Sequence, residues 1–278
     1  MPVIDARHLD GVSETALLTL HQRATEAARP DGIIDDPMAI ALRDRLDYDY
    51  QDFGRTHQAT ALRALVFDAV TRDYLAGHPR ATVVALAEGL QTSFWRVDNG
   101  EMTWLSVDLA PIIELRQQVL PTPDRLGYCA QSALDHSWMD AVDDSDGVVI
   151  TAEGLFQYLT ADVVFDLIAA CAARFPNGQL VFDSVPRLLS AYSQRRGFRL
   201  SEHYTVPPMP FWFTADLGVA DVASVEPCEV LHRVCFIDKR LHVIADVPHA
   251  DATSTDPRVR VVVRPRLVHH VWRVDLRI

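Results

Sequence analysis

Apolar residues recur at three- and four-residue steps through the first part of the chain, which is the spacing of amphipathic helices. The first such pattern follows Ser13, a candidate N-cap, and is ended by Pro30-Asp31-Gly32. A second helical pattern covers residues 55–76 and is ended by Gly77 and Pro79. The first pattern is carried by Leu17, Leu20, Ala24 and Ala27.

From residue 81 onward the pattern changes to short apolar runs rich in β-branched residues, which are typical of buried strands. Such runs predict strands at 81–87, 102–108, 125–131, 147–152 and 180–185. Helical segments at 111–120 and 162–175 separate some of them. Strands that alternate with helices favour an α/β fold with a mostly parallel sheet covered on both faces.

Beyond Pro186 the regular alternation breaks. Residues 187–222 are interpreted as an irregular, lid-like insertion, in which Phe211-Trp212-Phe213 either walls an apolar pocket or packs on the sheet. Segments 259–263 and 268–276 are predicted to form an antiparallel hairpin that closes a seven-stranded sheet. We therefore expect a single domain over residues 1–278, made of a helical N-terminal cap (1–54), a core (55–186), the insertion (187–222) and C-terminal strands (223–278).

The charge balance narrows the classes of partner. Asp and Glu outnumber Lys and Arg, and the formal net charge is −12. An acidic chain is poorly suited to nucleic acid or to an anionic membrane surface. No uncharged apolar run approaches the ~20 residues that span a bilayer, and Met1–Asp10 lacks the apolar stretch of a signal peptide.

Cysteine and metal-ligand patterns are equally sparse. The four cysteines form no CxxC pair, so we expect a reduced, cytoplasmic protein without structural zinc. Asp143-Asp144-Ser145-Asp146 lacks the rest of a calcium loop, and His269-His270 would point to opposite faces of a strand. No metal site is predicted.

Candidate chemistry lies where the parallel strands end, because open α/β sheets bind ligands beyond the carboxyl ends of their strands. Asp108 ends the second strand, 19 residues after Gly89 in the turn that follows the first. A carboxylate at this spacing suits a ribose diol, although a solvated loop aspartate has the same spacing. The turn lacks G-x-G-x-x-G, with Ala87 at the first position, and there is no P-loop lysine. A nucleoside cofactor without phosphate, S-adenosylmethionine, therefore fits better than a dinucleotide.

Two further turns carry polar candidates. Glu153-Gly154 follows the fourth predicted strand, close before Tyr158. Asp135 follows the third and can either accept from an adenine amino group or cap a helix that begins at His136.

In combination, these segments resemble the leucine carboxyl methyltransferase superfamily, in particular its bacterial branch of polyketide-type O-methyltransferases. The resemblance covers most of residues 12–185 and implies a class I, Rossmann-like methyltransferase fold that uses S-adenosylmethionine. The matching stretches are Val12–Asp47, Arg63–Asp68, Val83–Asp98, Trp104–Leu120, Ser132–Asp140 and Ala152–Leu159.

The resemblance also implies roles for individual residues. Arg63 is similar to the residue that pairs with the methionyl carboxylate, Asp108 to the ribose carboxylate, and Tyr158 to a tyrosine near the methyl acceptor. The cofactor-binding candidates are Arg63, Ala87, Glu88, Gly89, Asp108, Leu109, Leu134, Asp135, Glu153 and Gly154, and the catalytic candidates are Tyr158 and Arg63.

The chain also departs from the family pattern. Family members commonly have glycine at the position of Ala87, an acidic residue at that of Gln91 and a basic residue at that of Ser93. A methyl group at Ala87 crowds the turn if its dihedrals require glycine. Gln91 removes a possible anchor for the methionyl ammonium, and we hypothesise that Glu88 partly replaces it.

The function expected from these observations is S-adenosylmethionine-dependent O-methylation of a carboxyl or acidic hydroxyl group on a small molecule, with a polyketide-like metabolite as one candidate. No histidine is marked by a motif as a base, and such acceptors need none. The alternative is a methyltransferase-fold binding protein or a repurposed, non-methylating enzyme, motivated by the three departures. A nicotinamide oxidoreductase is disfavoured by the single glycine in the turn, and the oligomeric state is left open.

Overall fold

The computed structural model describes residues 3–212, 228–235 and 270–276 of the 278-residue chain. The α-helices are α1 (Gly11–Ala27), α2 (Pro37–Arg43), α3 (Ala59–Gly77), α4 (Ser93–Val97), α5 (Ala110–Val119), α6 (Ala161–Arg174) and α7 (Arg187–Arg196). The strands are β1 (Ile4–Asp5), β2 (Leu46–Asp47), β3 (Thr82–Leu86), β4 (Thr103–Asp108), β5 (Leu126–Ala130), β6 (Val148–Ala152), β7 (Gln179–Ser184), β8 (Phe198–Arg199), β9 (Thr205–Val206), β10 (Cys228–Cys235) and β11 (His270–Leu276). Short 3-10 helices cover Tyr50–Phe53, His136–Ala141 and Phe156–Tyr158.

A seven-stranded sheet in the order β10-β11-β7-β6-β3-β4-β5 organises the described residues. Five neighbouring strands, β7, β6, β3, β4 and β5, run parallel to one another. The other two, β11 and β10, each pair antiparallel to their neighbours. Every residue of β3 and β6 is buried, because helices cover both faces of the sheet. The five predicted parallel strands and the α/β fold class are therefore confirmed.

The order of the strands indicates where a ligand site is expected. From β3 the chain proceeds through β4 to β5 on one side and then returns to β6 on the other side. A crevice opens at such a switch point, beyond the carboxyl ends of the strands. The turns after β3 and β6 therefore meet at this edge of the sheet.

The N-terminal helices are attached to that edge by buried ion pairs. Arg23 of α1 lies 3.0 Å from Asp36, which precedes α2, and Asp36 also binds Arg96 of α4 at 2.6 Å. Arg96 in turn binds Asp68 of α3 at 2.7 Å. These ion pairs join α1, α3 and the residue that precedes α2 to helix α4, which follows β3. The predicted N-cap was wrong, because α1 begins at Gly11 and its N-cap is Asp10 rather than Ser13.

The segment after β7 is more regular than the sequence suggested. The prediction of an irregular insertion was wrong for residues 187–206, which contain α7 and the β8–β9 hairpin. Pro186 precedes α7 and Gly197 follows it, which is the usual asymmetry of helix ends. Phe211 is buried against Phe156, so this ring packs into the core, and Phe213 lies outside the described residues.

The predicted C-terminal hairpin is confirmed only in one strand. β11 agrees with the predicted segment 268–276, but its two neighbours are β7 and β10. Both edges of β11 are therefore occupied without residues 259–263, which lie outside the described residues. Among the described helices, none is both long and apolar enough to cross a bilayer.

Candidate active site

A cleft of about 190 Å³ lies at the carboxyl ends of the central strands. It is bounded by the turns after β3, β4 and β6, and α1 covers one side with Val12, Ser13, Thr15, Ala16 and Thr19. All the candidate residues from the sequence line this cleft except Asp135. The candidates that it brings together are Arg63, Ala87, Glu88, Gly89, Asp108, Leu109, Leu134, Glu153, Gly154 and Tyr158.

The turn after β3 has left-handed backbone dihedral angles of the kind that favour glycine. Ala87 has φ +47° and Gly89 has φ +57°, both in the left-handed region. A Cβ atom at Gly89 would also lie 3.1 Å from Cβ of Ala16 in α1. Glycine is required at position 89 for both reasons, whereas Ala87 accepts the strain.

Asp108 closes this turn from the end of β4. Its Oδ2 accepts from the backbone N–H of Gly89 and its Oδ1 from that of Leu109, both at 2.7 Å. Burial raises the pKa of the Asp108 carboxyl, and the two N–H donors oppose that rise. Each carboxylate oxygen keeps a free lone pair, so Asp108 retains acceptor capacity for two further donors.

Apolar side chains flank Asp108 at the mouth of the cleft. Leu109 is 49% exposed, Leu134 is 41% exposed and Val12 is 47% exposed. Large aliphatic side chains exposed around one cleft indicate a surface that a flat apolar ligand group can cover.

A buried cluster of charges lies on the other side of the cleft. Nε of Arg63 donates to Oε1 of Glu153 at 2.9 Å, and Nη1 of Arg63 donates to Oδ2 of Asp183 at 3.2 Å. Burial alone would lower the pKa of Arg63, but Asp183 and Glu153 outweigh it and raise that pKa. Burial raises the pKa of the Glu153 carboxyl, although Arg63 lies beside it. The Arg63 charge is thus shared between two acids.

Gly154 fits tightly into this cluster. Its φ is +76°, and its N–H donates to Oδ1 of Asp183 at 2.5 Å. A Cβ atom at position 154 would lie 3.2 Å from Nη1 of Arg63. The backbone here therefore approaches the guanidinium in a way that only glycine allows.

Glu88 does not join the Arg63 cluster. Its Oε2 lies 2.9 Å from Nη2 of Arg116 in α5 and 3.4 Å from Nε1 of Trp104. Burial raises the pKa of the Glu88 carboxyl, and Arg116 opposes that rise. Arg116 also donates to the backbone carbonyls of Gly89 and Gln91. The geometry therefore gives Oε2 of Glu88 a cationic partner, whereas its Oε1 has no hydrogen-bond partner among the described residues, and an ammonium contact by Glu88 stays a prediction.

Gln91 occupies the place next to Glu153 instead. Its Nε2 donates to Oε1 of Glu153 at 2.7 Å, and Gln91 itself is 5% exposed. The hydroxyl of Ser93, the third departure from the family pattern, accepts from Arg96 at 2.9 Å. The structure thus assigns partners to both residues.

Tyr158 lines the cleft next to two uncharged polar side chains. Burial raises the pKa of the Tyr158 phenol, and hydrogen bonds from Gln157 and Thr15 act in the opposite direction. Gln157 is 5% exposed, and its Oε1 has no hydrogen-bond partner among the described residues. Sequence reasoning missed Gln157 and Thr15, since neither belongs to a recognisable motif.

Asp135 lies outside the cleft. It is exposed, and its Oδ1 accepts from the backbone N–H of Ser137 at 3.2 Å, at the start of the 3-10 helix His136–Ala141. The capping alternative therefore describes its position, and an adenine contact by Asp135 stays a prediction. Leu134, its neighbour, lines the cleft.

A larger cavity, of about 480 Å³, lies at the opposite edge of the sheet, near the amino ends of β3 and β6. Its charged residues Arg80 and Asp146 bind each other at 2.8 Å. None of the sequence candidates lines it. In the described part of the chain, no cluster of three His, Cys, Asp or Glu side chains could hold a metal ion.

Comparison with known proteins decides the family. The family model of leucine carboxyl methyltransferase matches residues 16–172, which are more than half of the chain. The chain belongs to the leucine carboxyl methyltransferase family. The matched region contains every cofactor-binding candidate of this family member, as well as Tyr158.

Relatives and a solved structure agree with this assignment. The methyltransferase is 34% identical over 184 residues to the tetracenomycin polyketide synthesis O-methyltransferase TcmP of Streptomyces glaucescens, which covers 64% of this chain and 67% of the relative. It is 30% identical over 199 residues to the S-adenosyl-L-methionine-dependent methyltransferase dpfgK of Gibberella zeae, with coverage of 63% and 67%. A candidate methyltransferase from Thermobifida fusca has the same fold, with a TM-score of 0.52, 14% identity and coverage of 92% and 94%.

The protein is an S-adenosylmethionine-dependent methyltransferase, which sets aside the binding-protein alternative. The chemistry of the cleft lining suits this cofactor. Asp108 keeps acceptor capacity for a diol, two exposed leucines border it, and the charged cluster lies across the cleft. Three lining residues, Glu88, Gln91 and Gln157, each have a buried Oε1 atom without a hydrogen-bond partner among the described residues.

Proposed function

We propose that this methyltransferase methylates a carboxyl or acidic hydroxyl oxygen of a small, polyketide-like molecule. The relative from Streptomyces glaucescens, which is named for O-methylation in polyketide synthesis, supports this class of acceptor. The observation that carries the proposal is the chemistry of the cleft wall. Among the described residues that line the cleft, there is neither a histidine nor a lysine, and the carboxylates are held by Arg116, by backbone N–H groups and by Arg63.

A cleft without such a base favours an acceptor that is already acidic. A carboxyl group has a pKa near 4 and is ionised at neutral pH, whereas an ordinary phenol, near 10, gains from a base. Bound S-adenosylmethionine supplies a methyl group that is already activated on a sulfonium. The side chains then have to align the acceptor oxygen and exclude water, which can contribute roughly 7–11 kcal/mol.

Tyr158 is the residue best placed to align the acceptor. It lines the cleft with Thr15 and Gln157, and all three are uncharged hydrogen-bonding side chains. Arg63 was the other catalytic candidate, but Glu153 and Asp183 already share its charge. We therefore assign the acceptor oxygen to the Tyr158 side of the cleft and the cofactor to the Arg63 side.

The cofactor placement that we propose follows from the same geometry. Arg63 meets the methionyl carboxylate with its remaining N–H donors, Glu153 meets the ammonium, and Asp108 accepts from the ribose diol. Leu109 and Leu134 lie against the adenine. Asp108→Asn removes the charge but keeps one acceptor, so we expect roughly tenfold weaker cofactor binding in a calorimetric titration.

The acceptor class can be tested with cofactor that carries a deuterated methyl group. The protein is incubated with pairs of aromatic polyketide-type acids that differ only in whether the carboxyl or a hydroxyl group is blocked. Labelled products are then treated with mild base, which cleaves methyl esters and leaves methyl ethers intact. Base-labile label reports a carboxyl acceptor, and stable label reports a hydroxyl acceptor.

Two variants complete this test. Tyr158→Phe should lower acceptor-dependent turnover at least tenfold with cofactor affinity unchanged, and Tyr192→Phe, at an exposed position of α7, should leave turnover unchanged. Binding of the cofactor without methylation of any acid or phenol in the set would contradict the proposed acceptor class.

A further inference from the structure

Gln91 carries a buried polar atom that the protein itself leaves unused. Its Nε2 donates to Oε1 of Glu153 at 2.7 Å. Since an ionised carboxylate can only accept, the nitrogen must face Glu153, and the amide oxygen must face away from it. That oxygen has no hydrogen-bond partner among the described residues, and the side chain is 5% exposed and lines the cleft.

The backbone holds Gln91 in place on two sides. Its N–H donates to the carbonyl of Glu88 at 3.2 Å, and its carbonyl accepts from Nη1 of Arg116 at 2.9 Å. The next residue, Thr92, donates through its hydroxyl to Asp36. The amide of Gln91 is therefore fixed before any ligand arrives, and its oxygen has a defined position beside Glu153.

A buried carbonyl without a donor is unfavourable, so its persistence in a ligand cleft points to a donor on the ligand. At the Arg63 side of the cleft, the methionyl end of the cofactor offers a single strong donor, its ammonium, which carries three N–H groups. Glu153 supplies the opposite charge at this place, and Gln91 supplies a second, neutral acceptor.

We propose that Gln91 binds the methionyl ammonium of S-adenosylmethionine through Oε1, beside Glu153. This inference rests on the cofactor placement proposed above and assigns a residue that the family resemblance had marked as a loss. An amide suits the position because it donates to Glu153 and accepts from the ammonium. A carboxylate there would offer Glu153 no donor.

The experiment compares three ligands that bind without turnover. S-adenosylhomocysteine has the complete methionyl end, its deaminated analogue lacks only the ammonium, and 5′-methylthioadenosine lacks the whole amino-acid portion. Gln91→Met removes the oxygen at nearly constant length. Calorimetry should show about tenfold to hundredfold weaker binding of S-adenosylhomocysteine to this variant, with the other two ligands bound as by the wild type.

Two outcomes would overturn the proposal. Equal loss for all three ligands would show that Gln91→Met merely disturbs the turn, and no loss for any of them would show that Oε1 binds nothing. Thermal melting of the variant without ligand checks its fold. Gln91→Glu, which keeps an acceptor oxygen and loses the donor, should retain the preference for S-adenosylhomocysteine over the deaminated analogue.

A double-mutant comparison separates direct contact from an effect through Glu153. In a Glu153→Gln background, Gln91→Met should still reduce the preference for the ammonium-bearing ligand. No further reduction there would assign Gln91 a purely positioning role and overturn direct binding. If Glu153→Gln alone leaves that preference intact, the proposed cofactor placement fails, and this result is distinct from a failure at Gln91.

Discussion

Ala87 holds a backbone conformation that normally belongs to glycine. Its φ of +47° places Cβ close to the following carbonyl, which costs an L-residue about 1–2 kcal/mol. The strain lies in the turn after β3, at the edge of the cofactor cleft. The sequence analysis expected crowding at Ala87 only if the dihedral angles of this turn require glycine. The positive φ of Ala87 shows that they lie in the region that favours glycine.

Replacing Ala87 with glycine should therefore stabilise the protein. The relieved strain exceeds the extra chain entropy of glycine, so we expect the free energy of unfolding to rise by about 1 kcal/mol. The melting temperature should rise by roughly 2–3 °C. Ala85→Gly, inside β3 where the conformation is ordinary and the side chain is buried, is the matched control and should lower it.

Cofactor affinity should depend on pH through Glu153. Burial raises the pKa of this carboxyl above its ordinary value near 4.5, and we propose that its ionised form holds the ammonium. Below the raised pKa, binding must first remove a proton, so affinity should fall as the pH is lowered from neutrality toward that pKa. Calorimetric titration of S-adenosylhomocysteine across this range measures the effect.

Two controls isolate that titration. Glu153→Gln should flatten the part of the profile that depends on the ammonium, and 5′-methylthioadenosine, which has no ammonium, should show only the pH dependence that arises at Asp108. A profile of the same steepness in Glu153→Gln would assign the titration to another group.

The residues that the sequence predicted for the cleft are those that lie in recognisable turns, such as Gly89, Asp108 and Glu153. Asp183 and Arg116 were missed because their partners, Arg63 and Glu88, are distant in sequence. A signal for Asp183 did exist, since a charged residue within an apolar strand needs a buried partner. Arg116, on a helix with other polar residues, gave no comparable signal.

At the scale of elements, the position of the N-terminal helices depends on one carboxylate. Asp36 accepts from Arg23 of α1, from Arg96 of α4 and from the backbone N–H of Ala39 at the start of α2. The guanidinium groups lower the pKa of Asp36 despite its burial. Helix α1, which covers the cleft, is thereby tied to the segment that holds Gln91.

Asp36→Asn should loosen this attachment. Two buried guanidinium groups would lose a shared counter-charge, and we expect a loss of about 3 kcal/mol in the free energy of unfolding. Urea denaturation measures this change. Asp44→Asn removes an exposed partner of Arg43 and should cost less than about 0.5 kcal/mol. Similar losses in the two variants would contradict the importance of the buried network.

Elements were predictable where local pattern alone determines them. The apolar runs gave β3, β4, β6 and β7, whose residues are mostly buried, and also β5, which lies at the edge of the sheet and is only partly buried. Helix α7 was missed because its start and end signals, Pro186 and Gly197, were not used in the prediction. The partner of β11 was assigned wrongly because strand pairing is decided by distant segments, and β10 lies 35 residues or more before β11.

At the scale of the whole molecule, negative charge is concentrated in the cleft where we propose that a cationic cofactor binds. The net charge is −12, and the cleft residues Glu88, Asp108 and Glu153, with Asp183 behind them, outnumber Arg63 and Arg116. S-adenosylmethionine carries one more positive charge than S-adenosylhomocysteine. We therefore expect the cleft to bind the charged substrate more tightly than the neutral product.

Raising the salt concentration should weaken the binding of S-adenosylmethionine more than that of S-adenosylhomocysteine. Raising sodium chloride from 20 to about 500 mM shortens the screening length from ~20 Å to below 5 Å. The affinity for S-adenosylmethionine should fall several-fold over this range, and that for S-adenosylhomocysteine should change less. Parallel titrations test this, and an equal response of the two ligands would show that the surplus carboxylates do not act on the sulfonium.

Helix α5, which comes later in the chain, stabilises the conformation of the turn after β3. Arg116, 27 residues after Gly89, binds the carbonyls of Gly89 and Gln91 and pairs with Glu88. Grafting residues 86–92 from a glycine-rich relative would therefore leave the buried Arg116 guanidinium without the acceptors that it has in this turn. An engineer who wishes to transplant nucleoside affinity into this scaffold must exchange the loop and α5 together.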